Sequence, residues 1–291
     1  MANLKEVRTR ITSVISTQQI TKAMKMVSAA KLKRAQDAII TMRPYASKLR
    51  EIMENISGSL EGSAGGQFSV ARPVNKVLII AVSSNRGLCG AFNANINRTV
   101  SRLIRENYAV QSRAGNVKVL AIGKKSSDFF AKMKQNYVGQ HNDIYANLKF
   151  ENASKIAEEV MAQYAAGEYD KVELVYNQFK NAAMQNVVVE QLLPIAPPEK
   201  KSKTTNDYIF EPGKEELVLE LIPKAVKVQL YKAILDSHAS EHGARMTSMS
   251  KATDNAGEIL KELRLSYNKA RQASITGEIL EIVAGAEALN G

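Results

Sequence analysis

The chain has 291 residues, with 40 lysines and arginines against 29 aspartates and glutamates and a formal charge of +11. That length is enough for one large or two ordinary domains, and 45% hydrophobic with 24% charged residues is a globular balance that excludes a disordered chain. The one cysteine, Cys89, excludes an internal disulfide framework and a multi-cysteine zinc site, and no apolar run reaches the roughly 18 residues of a membrane span.

The charge is uneven. The first fifty residues hold eleven basic residues and two acidic ones, Glu6 and Asp37. The same stretch reads as one long helix. From Leu4 to about Ile56 there is a single proline, Pro44, which is expected to bend the helix locally, and no glycine. Leu4, Val7, Ile11 and Val14 recur at steps of three and four. Ala35, Ala38, Met42, Tyr45, Leu49, Ile52 and Ile56 continue the rhythm as a heptad seam. Glycines and serines from Gly58 to Gly66 end it. The N-terminus runs straight into this pattern without the apolar core of a signal peptide.

The middle of the chain changes period. Val74–Val82, Val117–Ile122, Lys171–Phe179 and Asn186–Leu193 read as strands, with helical stretches at 91–107, 124–135 and 151–166 between them. Strands alternating with helices predict a Rossmann-like α/β domain with a mainly parallel sheet. Prolines and a Lys/Glu cluster mark 194–214 as an exposed loop. Helix returns at about Glu215, with Pro223 expected to bend or restart it. A second seam follows: Met249, Ala252, Ala256, Ile259, Leu263, Ser266, Ala270, Ala273, Gly277, Leu280 and Ala284. Most of these residues are small, which fits a thin, closely wound shaft stabilised by a surrounding protein, or else a weak coiled coil standing alone. The expected domains are an N-terminal coiled-coil helix over 1–57, the α/β domain over 74–193, the loop over 194–214 and a C-terminal coiled-coil helix over 215–291.

Few residues offer chemistry. Ser83–Ala91 (SSNRGLCGA) follows a strand and opens a helix, the place of a phosphate loop. It lacks the Gly-Lys-Ser/Thr ending of a Walker motif and reads better as a structural turn. His238 and His242 are four apart, but no third metal ligand accompanies them. No nucleophile–base pair or carboxylate pair stands out, so no catalytic, cofactor-binding or metal site is assigned. The basic N-terminal helix is open to nucleic acid, an anionic membrane or an acidic protein. Residues 1–40 contain no aromatic side chain and the chain has no Trp, which favours the protein partner.

Three segments carry a family resemblance. Thr17–Leu32 (TQQITKAMKMVSAAKL), Asn85–Asn93 (NRGLCGAFN) and Tyr267–Val283 (YNKARQASITGEILEIV) closely resemble, in order, motifs of the gamma subunits of F-type ATP synthases. The resemblance covers essentially the whole chain. It implies a non-catalytic central rotor: an antiparallel coiled coil of the two terminal helices inside a ring of three alpha and three beta subunits. The α/β domain would bind the epsilon subunit and the membrane ring of proteolipid subunits. Ion flow through that ring would turn the shaft and drive ATP synthesis or hydrolysis at the beta sites. Carried over by motif, Met24 and Lys25 lie near the acidic lever of beta, and Arg245, Gln272, Thr276 and Glu278 meet its catch loops. Tyr208 faces epsilon and the membrane ring. The implied location is peripheral, on the cytoplasmic side of a bacterial cell membrane, with one copy per complex, no cofactor and no nucleic acid. Gly277 departs from the glutamine of many relatives, and 194–214 has no cysteine for a redox switch. A stand-alone coiled-coil scaffold or nucleic-acid binder, and a nucleotide-binding α/β enzyme, are the alternatives.

Overall fold

The computed structural model describes residues 4–59, 68, 72–133, 137–195 and 214–290. Its elements are α1 (Leu4–Ser59), β1 (Val77–Val82), α2 (Phe92–Asn107), α3 (Ala109–Arg113), β2 (Val117–Ile122), α4 (Lys124–Lys132), β3 (Tyr137–Gln140), α5 (Phe150–Ala165), β4 (Lys171–Phe179), β5 (Gln185–Leu193) and α6 (Lys214–Asn290). The chain divides into two compact units, Met1–Ser28 with Met246–Gly291, and Ala29–Arg245. The division cuts through both long helices.

In the second unit the sheet order is β3-β2-β1-β4-β5. β1 runs parallel to β2 and β4, and β2 parallel to β3. β5 is antiparallel to β4, because the two are joined by a short turn rather than a helical crossover. In that turn the Asn181 side-chain carbonyl accepts from the amides of Ala183 and Met184 at 2.9 and 2.7 Å. The mainly parallel sheet expected from sequence is present, with one antiparallel edge.

β1 is buried along its whole length, as a central parallel strand covered on both faces must be. Its alternate residues feed two cores. Val77, Ile79 and Ala81 pack with Ile96 and Val100 of α2 and Phe130 of α4. Leu78, Ile80 and Val82 pack with Ile156, Val160 and Tyr164 of α5 and with Val226, Leu230 and Ile234 of α6. Each such aliphatic side chain contributes roughly 1.5–3 kcal/mol when fully buried.

β3 has no counterpart among the strands expected from sequence. Its four residues, Tyr-Val-Gly-Gln, alternate between half-buried and exposed and are too short and mixed to show a period. Pro223 lies inside α6, so the helix begins nine residues before it rather than restarting there; Pro44 likewise lies within α1. The segment 196–213, the greater part of the expected exposed loop, lies outside the described residues.

Candidate functional site

In the first unit, α1 and α6 are antiparallel partners. Lys25 Nζ donates to Ser250 Oγ at 2.9 Å, Thr21 and Thr253 hydroxyls lie 2.8 Å apart, and Gln18 Nε2 donates to the Thr253 carbonyl at 3.4 Å. A Cβ on Gly257 would stand 3.2 Å from Gln18 Nε2, so glycine here lets the glutamine reach across. At equal rise this register brings Leu4 level with about Ala270. Beyond it, α6 runs on without a described partner, leaving Ile279, Leu280, Ile282 and Val283 exposed.

The seam differs from the expected one by a single position in every heptad. The inward line on α6 is Met249, Thr253, Ala256, Leu260, Leu263, Tyr267, Ala270, Ser274 and Gly277. Leu260 is 6% exposed and Ile259 43%. In the α1 segment of the second unit, Ile39 is buried while Ala38 is exposed, and Ala46 is half-buried while Tyr45 is exposed. Adjacent apolar residues satisfy both phases of a 3–4 repeat, so periodicity alone does not choose between them. A Cβ on Gly277 would meet nothing within 4 Å among the described residues, so none of them closes the seam at that point.

In the second unit the chemistry-bearing residues converge where an open α/β sheet of this order offers its ligand crevice, at the carboxyl ends of β1 and β4. Here the crevice is filled by α6. Ser237 Oγ donates to the Val82 carbonyl at 3.4 Å, at the end of β1. Ser240 Oγ donates to the Asn177 carbonyl at 3.0 Å, near the end of β4. One turn on, Arg245 reaches the loop after β1, donating to the carbonyls of Arg86 (3.2 Å) and Gly87 (3.3 and 3.2 Å). Its ion pair with Glu241, at 2.7 Å, leaves the two side chains 8% and 9% exposed. Burial raises the Glu241 carboxyl, and the attraction of Arg245, Lys31 and Arg86 opposes that rise.

The same buried cluster explains the histidine pair. Arg245 Nη1 lies 3.3 Å from His242 Nδ1, which must therefore accept, so His242 carries its proton on Nε2 and donates it to His238 Nε2 at 3.1 Å. Burial pushes His238 down to about 4, with Lys31 and Arg245 adding to it. Burial, followed by His238 and Arg245, pushes His242 down to about 3. Both rings are neutral hydrogen-bonding groups with an arginine against one of them, an unfavourable setting for a metal cation.

The loop Ser83–Ala91 turns its own oxygens on the free amides at the start of α4. At the start of α4, Lys124 N donates to Asn85 Oδ1 (2.9 Å), Lys125 N to the Ser84 carbonyl (3.1 Å) and Ser126 N to Ser83 Oγ (3.0 Å). These are the amides an anion would take at a helix N-terminus. Gly123 permits the approach: its φ is +111°, and a Cβ would stand 2.2 Å from the Ser83 carbonyl oxygen. Cys89 is buried at 3.2 Å from Asn93 Nδ2, and burial raises its thiol above the ordinary value.

The residues assigned by motif fall in different settings. Met24 is half-buried and Lys25 exposed, its ammonium held by Ser250. Gln272, Thr276 and Glu278 are exposed, and Glu278 accepts from Ser274 Oγ at 3.3 Å. Arg245 is instead occupied inside the chain and offers little side-chain surface to any partner. Sequence reasoning missed that arginine's internal role, and the signal was its i,i+4 spacing from Glu241. Tyr208 lies outside the described residues.

An antiparallel pair of long helices in one unit and, in the other, an α/β sheet whose ligand crevice is filled by α6 define a class of stalk-bearing α/β proteins. Residues 3–289 match the family described as ATP synthase. ATP synthase gamma chains of Flavobacterium johnsoniae and Cytophaga hutchinsonii are 59% and 54% identical to it, each over 100% of both chains. A chain from the Tetrahymena thermophila mitochondrial ATP synthase central stalk and c-ring is 28% identical with a TM-score of 0.60, over 80% of this chain and 99% of that one. A chain of the Euglena gracilis mitochondrial OSCP/F1/c-ring structure matches in fold, with a TM-score of 0.71 at 21% identity over 98% and 94%. The chain belongs to the ATP synthase gamma-chain family, the central-stalk subunits of these enzymes. Among the described residues no helix is long and apolar enough to cross a membrane.

Proposed function

We propose that this chain is the non-catalytic rotor of an F-type ATP synthase, coupling ion-driven rotation of a membrane proteolipid ring to ATP synthesis or hydrolysis at beta-subunit sites. The observation that carries the reading is the plugged crevice: Ser237, Ser240 and Arg245 of α6 donate to carbonyls at the strand ends, where an open sheet of this order would take a ligand. The stalk supports it from the other side. Its small-residue seam and the exposed apolar side chains beyond Ser274 are costly in water and are stabilised when a ring of subunits encloses them.

In this reading Met24, Lys25, Gln272, Thr276 and Glu278 meet the beta subunits, and the exposed lysines of α1 face acidic levers. Arg245 serves that contact indirectly, by fixing α6 to the loop that carries Arg86. Tyr208 keeps its motif-based role toward epsilon and the membrane ring. The protein lies peripherally, on the cytoplasmic side of a bacterial cell membrane.

The test is retention of partners by the tagged full chain at moderate salt. Stoichiometric alpha and beta subunits are expected. Recovery of nucleic acid with a steep salt dependence, or saturable ATP binding by the isolated chain, would replace the rotor with one of the other readings.

A further inference from the structure

Over Gln18–Ser28 in the first unit, α1 turns polar side chains toward α6 and apolar ones away. Ser28 is buried and Gln18 and Thr21 are half-buried, whereas Ile20, Met26 and Val27 are exposed. Across from them α6 offers Ser250, Thr253 and Gly257. The grip that burial supplies at this level is weak, because Ser28, Ala256 and Gly257 have little apolar area to withdraw from water.

Hydrogen bonds close a circuit between the two helices instead. Thr253 Oγ1 donates to Thr21 Oγ1 at 2.8 Å, Thr21 Oγ1 donates to the Gln18 carbonyl at 3.0 Å, and Gln18 Nε2 donates back to the Thr253 carbonyl at 3.4 Å. That carbonyl lies one turn before Gly257, and the missing side chain keeps it open, since a Cβ there would stand 3.2 Å from Gln18 Nε2. One turn along α1, Lys25 Nζ donates to Ser250 Oγ at 2.9 Å. Such bonds differ mechanically from apolar contact. Apolar surfaces keep most of their attraction through a small slide, because it has no direction. A hydrogen bond is lost once its partners part beyond about 3.5 Å or bend below about 120°.

We infer that Gln18, Thr21 and Thr253 are positioning residues for torque: they key α1 to α6 against sliding, so that the helix pair twists as one stiff bar rather than as two. The inference rests on the rotor reading above and adds to it which residues stiffen the shaft. In that reading the pushes arrive on α1 at Met24 and Lys25 and on α6 at Gln272, Thr276 and Glu278, so load has to pass from one helix to the other. The circuit stands one turn from the α1 contacts, and two rods keyed together resist twist more than the same rods free to slip.

The test uses the assembled complex with its catalytic ring immobilised and a filament on the α/β domain, and reads the angular spread of the filament during each pause at low ATP. Thr21→Val combined with Thr253→Val replaces both hydroxyls by groups of the same shape, a change that leaves folding stability nearly neutral. It is expected to widen the angular variance about twofold, on the scale of the ordinary net worth of the hydrogen bond removed, with unloaded ATP hydrolysis unchanged. Thr21→Ser with Thr253→Ser keeps the hydroxyls and is expected to show the wild-type spread. Gln18→Leu cuts the return bond and is expected to widen it as well, so the account does not hang on one variant assembling. Leu260→Ala removes apolar area from the same seam and is expected to lower thermal stability without widening the spread. An unwidened double valine variant, or a spread that widens equally with Leu260→Ala, would overturn the inference while leaving the rotor intact. A wild-type filament that never turns on ATP would sink the rotor reading and this inference with it, and is seen before any variant is compared.

Discussion

Between Ala233 and Arg245, α6 is enclosed on nearly every side, by the sheet, α1 and the loop after β1; from Glu278 to Ala288 the same helix is exposed on every side. Nothing in helix propensity accounts for the contrast. The enclosed stretch carries Asp236, Ser237, Ser240, Glu241 and Arg245, polar groups that are mostly hydrogen-bonded, while the open stretch carries Ile279, Leu280, Ile282 and Val283. The enclosed stretch thus buries polar groups beside the apolar Ile234 and Leu235, and the open one leaves large apolar side chains in water, each a departure from the usual order. The lesson is that the interior of this chain stores specific connections, and its exterior waits for a partner.

The largest expected effect breaks the enclosed side. Arg245→Ala removes the cation from a buried pair and leaves Glu241 uncompensated, an expected loss of about 3–5 kcal/mol in urea unfolding of the full chain. Gly123→Ala comes next, at about 3 kcal/mol or an insoluble product, because a Cβ 2.2 Å from the Ser83 carbonyl forces β1 and β2 loops apart.

Asp236 sharpens the comparison through pH. Burial pushes its carboxyl up to about 6, against the pull of Lys232 and Arg43 and with the push of Glu190. One carboxyl oxygen has no hydrogen-bond partner among the described residues. A carboxyl harder to ionise in the folded chain than in the unfolded one makes folding less favourable as pH rises from about 4 to 6, and the cost persists above that. Asp236→Asn is therefore expected to stabilise the chain by about 1–3 kcal/mol at pH 7.5 and by little at pH 4. Equal gains at both pH values would assign the effect to packing.

On the open side the effects are smaller. Leu260→Ala is expected to cost about 2 kcal/mol and Ile259→Ala under about 0.5, which separates the observed seam from its neighbour one position away. Gly277→Leu is expected to leave the free chain unchanged within about 0.5 kcal/mol, since its space is open. In the assembled complex the same variant should slow ATP turnover, where the surrounding subunits close that space. Unchanged turnover would show that nothing packs there.

Much of this was legible in the sequence, for reasons that are physical. The two long helices follow from sustained heptads, with no glycine from Leu4 to Ile56 and no proline after Pro223, and the buried strands β1 and β2 from short β-branched runs ended by Ser83 and Gly123. The phase of the seams was not legible, because Ala38-Ile39-Ile40 and Ile259-Leu260 offer an apolar residue to either choice. Nor was β3, four residues long with a glycine inside. The role of Ser83–Ala91 was half legible: its place after a strand was plain, but its use as an internal acceptor for α4 and Arg245 depends on contacts across some 40 to 160 residues of chain.

The central claim is that the stalk turns within its partners and carries no chemistry of its own. The most direct test is to immobilise the assembled catalytic ring, attach a visible filament to the α/β domain and add ATP. Rotation in one direction is predicted, stepping with each hydrolysis event; full hydrolysis with a stationary filament would contradict it.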